Sequence, residues 1–158
     1  LPSNCRTVAE MRANAWQVRQ VLSAGVHGIL HTHARQAAVH TILLGDLSNS
    51  LTAFYRHVEK ANAADRVTVM VFSEFGRRVK ENASLGTDHG CAAPMFLLSG
   101  KAKGGLHGSN PDFTKLEGGD LQFTTDFRSV YATLLDEILK IDSRKLLGMS
   151  FEKLPLFS

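Results

Sequence analysis

The stretch VTVMVFSEFGRRVKENASLGTDHG, residues 67–90, decides the predicted fold. It begins with the apolar, β-branched run of residues 67–72, which is typical of a strand buried on both faces of a parallel sheet. Glu74 follows that run closely, and in open α/β sheets ligands bind beyond the carboxyl ends of the strands. Asp88 and His89 come later, between two glycines, and we expect them on flexible backbone. The stretch therefore predicts a parallel strand with acid–base or metal-binding groups near its end.

The composition is that of an ordinary globular domain, with 158 residues, 44% hydrophobic residues and 21% charged residues. The net charge is +3 with histidine neutral, and there is no basic stripe with interleaved aromatics, so a nucleic-acid partner is not predicted. We find no apolar run long enough to span a membrane and no signal peptide, so a membrane partner is not predicted and the localisation stays open. The two cysteines, Cys5 and Cys91, form no CxxC motif and are interpreted as reduced thiols.

Apolar periodicity predicts two helices around the first strands. Residues 7–24 are predicted as one amphipathic helix, and residues 34–61 as a long helix with one apolar stripe. A short apolar stretch between them, residues 26–30, is a candidate strand. The order of this strand, the long helix and the strand at residues 67–72 predicts a βαβ unit.

The segments after the opening stretch predict another strand and a final helix. Residues 93–98 form a second apolar run, and the glycine-punctuated residues 100–120 are predicted as a loop. Thr125 or Asp126 caps the final helix, and the tail, residues 151–157, is expected to lie as a strap over the core. The predicted fold is a single α/β domain with a small, mostly parallel sheet flanked by helices.

Five residues form a candidate metal constellation around the predicted strand ends. They are His31, His33, Glu74, Asp88 and His89. Carboxylate and imidazole ligands suit Zn²⁺, Mn²⁺ and related ions, which polarise an ester and lower the pKa of bound water. His31 and His33 are two residues apart, so their side chains lie on one side of an extended segment. The competing interpretation is that Glu74 pairs with Arg77 or Arg78 and that the two histidines belong to a surface loop.

Other reactive side chains have simpler interpretations. Cys91 is expected to be a small buried hydrophobe, since nothing in the sequence indicates an activated thiol. His107 is expected in a loop, and Lys101 and Lys103 are expected to be solvated, although they could meet an anionic substrate. The sequence contains no nucleophile elbow of the GxSxG type and no P-loop.

A resemblance to a known protein family rests on the stretch SEFGRRVKENASLGTDHGCAAPMFLLSGKAKGGLHG. It resembles the bacterial domain of unknown function family 1501, sulfatase-like proteins assigned to the alkaline phosphatase superfamily. The resemblance covers residues 31–158, with LLGDLSNSLTAFYRHVEKANAADRVTVMVFSEFGR upstream and TTDFRSVYATLL downstream. A D-T-H motif precedes the long helix in such proteins, and here that place reads H-T-H. The family pattern implies these metal ligands: His33, Glu74, Asp88 and His89, with His31 in place of the aspartate.

The resemblance also implies a domain organisation. Residues 31–158 would be a truncated α/β domain, equivalent to the C-terminal part of an alkaline-phosphatase-like or sulfatase-like domain. Residues 1–28 do not resemble the family and are expected to be a separate helical segment. The nucleophile and the first metal ligand of the superfamily lie upstream of the matched part. An exposed sheet edge is then expected, which predicts a homodimer through that edge or coverage by helix 7–24.

The implied function is metal-dependent hydrolysis of phosphate or sulfate esters. The substrate would be a small anionic ester, and the cofactor a divalent ion (zinc, manganese, calcium or magnesium), with no organic cofactor. Glu74, Asp88 and His89 would carry the catalysis, and water activated by the metal would replace the missing nucleophile. The alternative is a non-catalytic remnant or interaction domain that lacks the nucleophile half. Many members of the family look exported.

Overall fold

The structure, a computed structural model, describes residues 32–158. The helix predicted over residues 7–24, the strand predicted over residues 26–30, and His31 lie outside the described residues. The described part comprises three α-helices, six short strands, a 3₁₀ turn and a π-helical turn. None of its helices combines the length and the apolarity needed to cross a membrane.

The long helix predicted over residues 34–61 is confirmed as α1, Gln36–Lys60. Its half-buried apolar stripe comprises Leu43, Leu47 and Leu51. The helix ends where Asn62 takes a left-handed backbone conformation, with φ 51°. A 3₁₀ turn, Ala64–Arg66, then leads into the first strand. The 3.6-residue apolar period was therefore sufficient to identify this helix and to place both of its ends within two residues.

The start of α1 is fixed by a distant part of the chain. The residue before the helix, Arg35, has a left-handed backbone, φ 47°, and supplies no side-chain cap. Two carbonyls of a hairpin turn accept from the first amides instead: Arg35 N–H donates to Ser84 O and Gln36 N–H donates to Leu85 O, each at 2.9 Å. These bonds satisfy N–H groups that a helix start leaves unpaired. The segment just before α1 is thereby held against the hairpin.

The first strand pairs in the direction opposite to the predicted one. Strand β1, Thr68–Val71, is antiparallel to β4, Phe96–Ser99. The prediction of a mostly parallel sheet is wrong, because the described residues form three two-stranded sheets and each is antiparallel. A parallel return needs a crossover of about a dozen residues or more, usually a helix. The chain between β1 and β4 contains a hairpin instead, and β1 finds no parallel partner within residues 32–158. The first strand of the predicted βαβ unit, residues 26–30, lies outside the described residues.

A hairpin occupies the region that was expected to be flexible loop. It consists of β2, Gly76–Glu81, and β3, Thr87–Gly90. Asp88 and His89 both lie in β3, so the expectation of flexible backbone for them is wrong. Arg77 is the cross-strand partner of His89, and the register is irregular beyond that pair. Asp88 and His89 therefore lie on defined faces of a strand rather than in a mobile loop.

A second hairpin forms within the predicted loop after β4. Its strands are β5, Leu116–Glu117, and β6, Asp120–Leu121, and the two glycines between them have φ values of 60° and 91°. Two consecutive positive φ values are those of a type I′ hairpin turn. Asp120 is 2% exposed, and its carboxylate pairs with Arg78 Nε of β2 at 3.2 Å. This ion pair docks the second hairpin on the first.

The final helix begins at one of the two predicted caps. Helix α2, Phe127–Thr133, follows Asp126, whose carboxylate accepts from Arg128 N–H at 2.9 Å. The helix does not continue regularly, since a π-helical turn, Leu134–Ile138, comes next. A short helix, α3, Ser143–Leu147, completes the C-terminal part.

The C-terminal tail crosses the small core, as predicted. The buried apolar residues of the described part are Val58, Val130, Ala132 and Leu156. Leu156 is 5% exposed, and its carbonyl accepts from Lys103 N–H at 2.8 Å. Leu154 N–H donates to Thr133 Oγ1 at 2.9 Å, and Thr133 is fully buried in α2. Both main-chain and side-chain bonds therefore hold the tail as a strap.

Tyr131 makes the stability of the C-terminal part sensitive to alkaline pH. Its ring meets Phe72 and Phe127 edge-on, and burial raises the pKa of Tyr131 to about 12. The unfolded chain releases this proton near pH 10, so the folded state holds it more tightly. Its contribution to stability is complete below pH 10 and is lost as the pH rises towards 12. We expect the free energy of unfolding to fall by roughly 2 kcal/mol across this interval because of Tyr131 alone.

Urea unfolding of the wild type and of Tyr131→Phe at several pH values between 9 and 12 measures this contribution. The phenylalanine variant should show a shallower decline than the wild type. Equal slopes for the two proteins would show that Tyr131 is not the group responsible.

Candidate functional site

The candidate site lies where the segment before α1 meets the β2–β3 hairpin. Gln36, the first residue of α1, is 7% exposed and its side chain joins the two elements. Its Oε1 accepts from Thr87 Oγ1 at 2.6 Å, and its Nε2 donates to Thr32 O at 3.3 Å. Gln36 Nε2 also lies 3.2 Å from Nε2 of His40, one turn further along the helix. Gln36 thus fixes the backbone on either side of His33 relative to β3.

Two of the predicted ligands, His33 and His89, are neighbours in space. Their ring centroids are 4.7 Å apart and the rings are inclined at 35°. His89 also stacks on Phe75, with a centroid distance of 3.6 Å and an angle of 14°. Both imidazoles are half-buried, and one comes from the segment before α1 while the other comes from β3. The fold therefore brings together imidazoles that are far apart in the sequence.

A guanidinium group lies beside this histidine pair. Arg77 Nη1 is 3.4 Å from His33 Nδ1 and donates to Thr87 O at 2.8 Å. Desolvation lowers the pKa of Arg77, and the negative charge of Asp88 opposes that shift. A guanidinium has donors only, so Nδ1 of His33 is the acceptor in this contact. Ligation of an ion through Nδ1 would require His33 to give up this contact.

Neither predicted carboxylate completes a group of three potential metal ligands with the histidine pair among residues 32–158. Asp88 precedes His89 in β3, and adjacent strand residues point to opposite faces. Its Oδ1 accepts from Asn82 Nδ2 at 3.1 Å. Glu74 is exposed in the connection between β1 and β2. Arg78, one of the two arginines proposed as a partner of Glu74, forms an ion pair with Asp120.

The residues described fit a divalent ion only in part. No group of three or more histidine, cysteine or acidic side chains that could hold an ion occurs among residues 32–158. His33 and His89 supply two imidazoles, which suit zinc and similar ions, whereas a catalytic zinc site has three protein ligands. The remaining candidate, His31, lies outside the described residues.

Sequence reasoning missed two amides that organise the site, Gln36 and Asn82. The amide of Asn82 donates to His33 O at 3.1 Å as well as to Asp88. Its carbonyl accepts from Ser84 N–H at 2.9 Å, which is an Asx turn. The available sequence signal for such a turn was Asn82 with Ser84 and Gly86 two and four residues later. For Gln36 no comparable sequence signal exists, because its partner Thr87 is distant along the chain.

Other side chains singled out in the sequence have structural partners or are exposed. His107 is exposed, with Nε2 3.0 Å from Lys103 O, and Lys101 and Lys103 are exposed, as expected. Cys91 is half-buried and disulfide-bonded, so its interpretation as a reduced, buried thiol is wrong. The interpretation of Cys5 as a reduced thiol falls outside the described residues.

Comparisons with known proteins identify a family but no characterised relative. Neither the curated proteins nor the solved structures contain a match to this chain. The family described as "Protein of unknown function (DUF1501)" matches residues 8–152, which extends upstream of residue 31, where the resemblance to the family was placed. The match includes the H-T-H segment, the β2–β3 hairpin and helix α2. Because it spans most of the sequence, the chain belongs to the DUF1501 family of proteins of unknown function.

Proposed function

We propose that this protein is a sulfatase-like member of the alkaline phosphatase superfamily that hydrolyses phosphate or sulfate esters with a divalent metal. The proximity of His33 and His89, at 4.7 Å between ring centroids, is the observation that carries the proposal. These two residues belong to the H-T-H and T-D-H motifs in which the superfamily pattern places metal ligands. His31 completes the imidazole set in this proposal, and Glu74 and Asp88 supply negative charge nearby. Bound metal would polarise the ester and activate water.

Arg77 has a defined part in this proposal. Its guanidinium is anchored to Thr87 O and contacts the ring nitrogen of His33. If His33 held the ion through Nδ1, it would give up that contact, and the donors of Arg77 would then be available to an anionic ester oxygen. Guanidinium groups bind phosphate and sulfate oxygens through parallel N–H donors. In this proposal Arg77 contacts the histidine pair and would also supply N–H donors to the substrate anion.

A second candidate function is a non-catalytic binding domain that retains the family's motifs. The position of Asp88 on the strand face opposite to His89 favours this alternative, because the carboxylate and the imidazole then do not converge.

Metal binding and ester hydrolysis together decide between the two functions. Calorimetric titration of the untagged protein with zinc and with manganese should show one ion per chain. His33→Ala and His89→Ala should each weaken binding by more than about tenfold, a loss typical of disturbing even an outer-shell partner. The matched control is His57→Ala, since His57 is an exposed histidine in the last turn of α1 and should leave binding unchanged.

Chromogenic phosphate and sulfate esters then test turnover. The metal-loaded protein should hydrolyse one of them faster than a metal-only blank, and Glu74→Ala or Asp88→Ala should abolish the excess rate. Metal binding without turnover would support the binding domain. Failure to bind either ion, or equal binding by the His89→Ala variant, would contradict the proposed site.

A further inference from the structure

We infer that Asn82 is the positioning residue of the candidate site, holding the His33 backbone and the Asp88 carboxylate in one fixed relation. Its Nδ2 group donates to His33 O and to Asp88 Oδ1, each at 3.1 Å. These acceptors belong to two different elements, the segment before α1 and strand β3. One amide nitrogen therefore joins the two elements that supply the candidate ligands.

The other half of the same side chain shapes the hairpin turn. Asn82 Oδ1 accepts from Ser84 N–H at 2.9 Å and from Gly86 N–H at 3.1 Å. An amide side chain has two donor hydrogens and an acceptor oxygen with two lone pairs, so this network uses its full capacity. The carbonyl makes the turn, and the amide nitrogen connects the turn to the site. These two roles can be separated by substitution.

The turn lies in close contact with the backbone of His33. A Cβ atom at Gly86 would overlap the carbonyl group of His33. On the other side of the turn, Ser84 O and Leu85 O accept from the first amides of α1. A displacement of Asn82 therefore moves His33 relative to β3 rather than only loosening an exposed turn.

The purpose of this arrangement rests on the proposed function. Outer-shell partners orient ligands, and their loss commonly weakens metal affinity by about 10- to 100-fold. Here Asn82 is the outer-shell partner. It holds the candidate ligand His33 by its backbone carbonyl and the candidate ligand Asp88 by its carboxylate. The geometric effect of Asn82 can be measured without any metal, so its test is independent of whether the protein is a hydrolase.

The decisive comparison is between Asn82→Asp and Asn82→Ala in the full chain. Asn82→Asp keeps an acceptor oxygen for the turn but replaces the donor by a second carboxylate, which repels Asp88 and the His33 carbonyl. Asn82→Ala removes both roles. The readout is the NMR cross-peak between ring protons of His33 and His89, whose centroids are 4.7 Å apart in the wild type. We expect both variants to lose this cross-peak.

Two further variants make the test specific. Asp112→Ala is the matched control, because Asp112 Oδ1 accepts from Thr114 N–H at 2.9 Å in a similar Asx turn outside the candidate site. It should retain the His33–His89 cross-peak. Adding Asp88→Asn to the Asn82→Asp variant restores an amide–carboxylate pair with reversed polarity, and the cross-peak should partly return.

Each outcome bears on the inference. A cross-peak of wild-type intensity in Asn82→Asp would overturn it and would assign to Asn82 a role in the turn alone. Loss of the cross-peak in Asp112→Ala would overturn it as well, since the effect would then be non-specific. Absence of rescue in the double variant would overturn the part that concerns Asp88. If Asn82→Asp loses the cross-peak while the wild type binds no metal, Asn82 remains the positioning residue and the proposed hydrolase function fails.

Discussion

Gly76→Ala is expected to lower the free energy of unfolding by about 3 kcal/mol, at the upper end of the range for overpacking. Gly76 is buried at the start of β2, opposite Gly90 of β3. A Cβ atom at Gly76 would overlap the backbone carbonyl of Ala92. Backbone cannot rotate away as a flexible side chain can, so the strand itself has to shift. The shift would also disturb the adjacent pair of Arg77 and His89.

Urea unfolding measured by circular dichroism gives the stability difference, and Gly45→Ala is the matched control. Gly45 lies inside α1 and has no atom within 4 Å of an added Cβ. Alanine there should increase stability by roughly 0.5 to 1 kcal/mol, the difference in helix propensity between the two residues. The same substitution is thus expected to have opposite signs at the two sites. A change of less than 0.5 kcal/mol for Gly76→Ala would show that the hairpin and the following segment are not packed as described.

Thr133→Val is expected to destabilise the protein by about 1 to 3 kcal/mol and to release the C-terminal strap. The Oγ1 atom of Thr133 donates to Ser129 O at 2.7 Å and accepts from Leu154 N–H at 2.9 Å. Valine has a similar shape, so the loss of packing is small. The substitution leaves the half-buried Leu154 amide without its acceptor, and an amide that is left unpaired in the protein carries a desolvation cost.

Thr41→Val provides the matched control for this effect. The Thr41 hydroxyl makes the same kind of bond within a helix, to Ala37 O at 3.0 Å, but it is exposed. Its replacement should change stability by less than about 0.5 kcal/mol. Amide hydrogen exchange should show faster exchange at Leu154 in the Thr133→Val variant only. Slow exchange at Leu154 in that variant would mean that another group holds the strap.

Local sequence signals were sufficient for helix α1, for the start of helix α2 and for the positions of strands β1 and β4. The apolar stripe of α1 and the carboxylate cap at Asp126 are local features, and the structure contains both. Strand direction could not be predicted in the same way. The run that became β1 is apolar apart from Thr68, and the four residues of β1 are half-buried next to an antiparallel partner. Direction depends on what connects two strands, and the sequence pattern does not reveal the β2–β3 hairpin between β1 and β4.

The sequence could nominate candidate site residues but could not predict their arrangement in space. Motif resemblance selected His33 and His89, and the structure places their rings next to each other. The motif resemblance treated His89 and Asp88 as ligands of one site, although neighbouring side chains of a strand point to opposite faces. The two amides that fix the site were not selected, because Gln36 and Asn82 act through partners that are close only after folding.

The carbonyls that replace a helix cap at α1 also bear on how the chain folds. A helix is slow to nucleate because its first turn orders several residues for a single hydrogen bond. The amides of Arg35 and Gln36 find their acceptors at Ser84 and Leu85, so the first turn of α1 gains its stabilising contacts only after a long loop has closed. Opening of the hairpin turn and fraying of this helix end are then one cooperative event rather than two. A ligand that holds the hairpin closed would therefore also stabilise the first turn of α1.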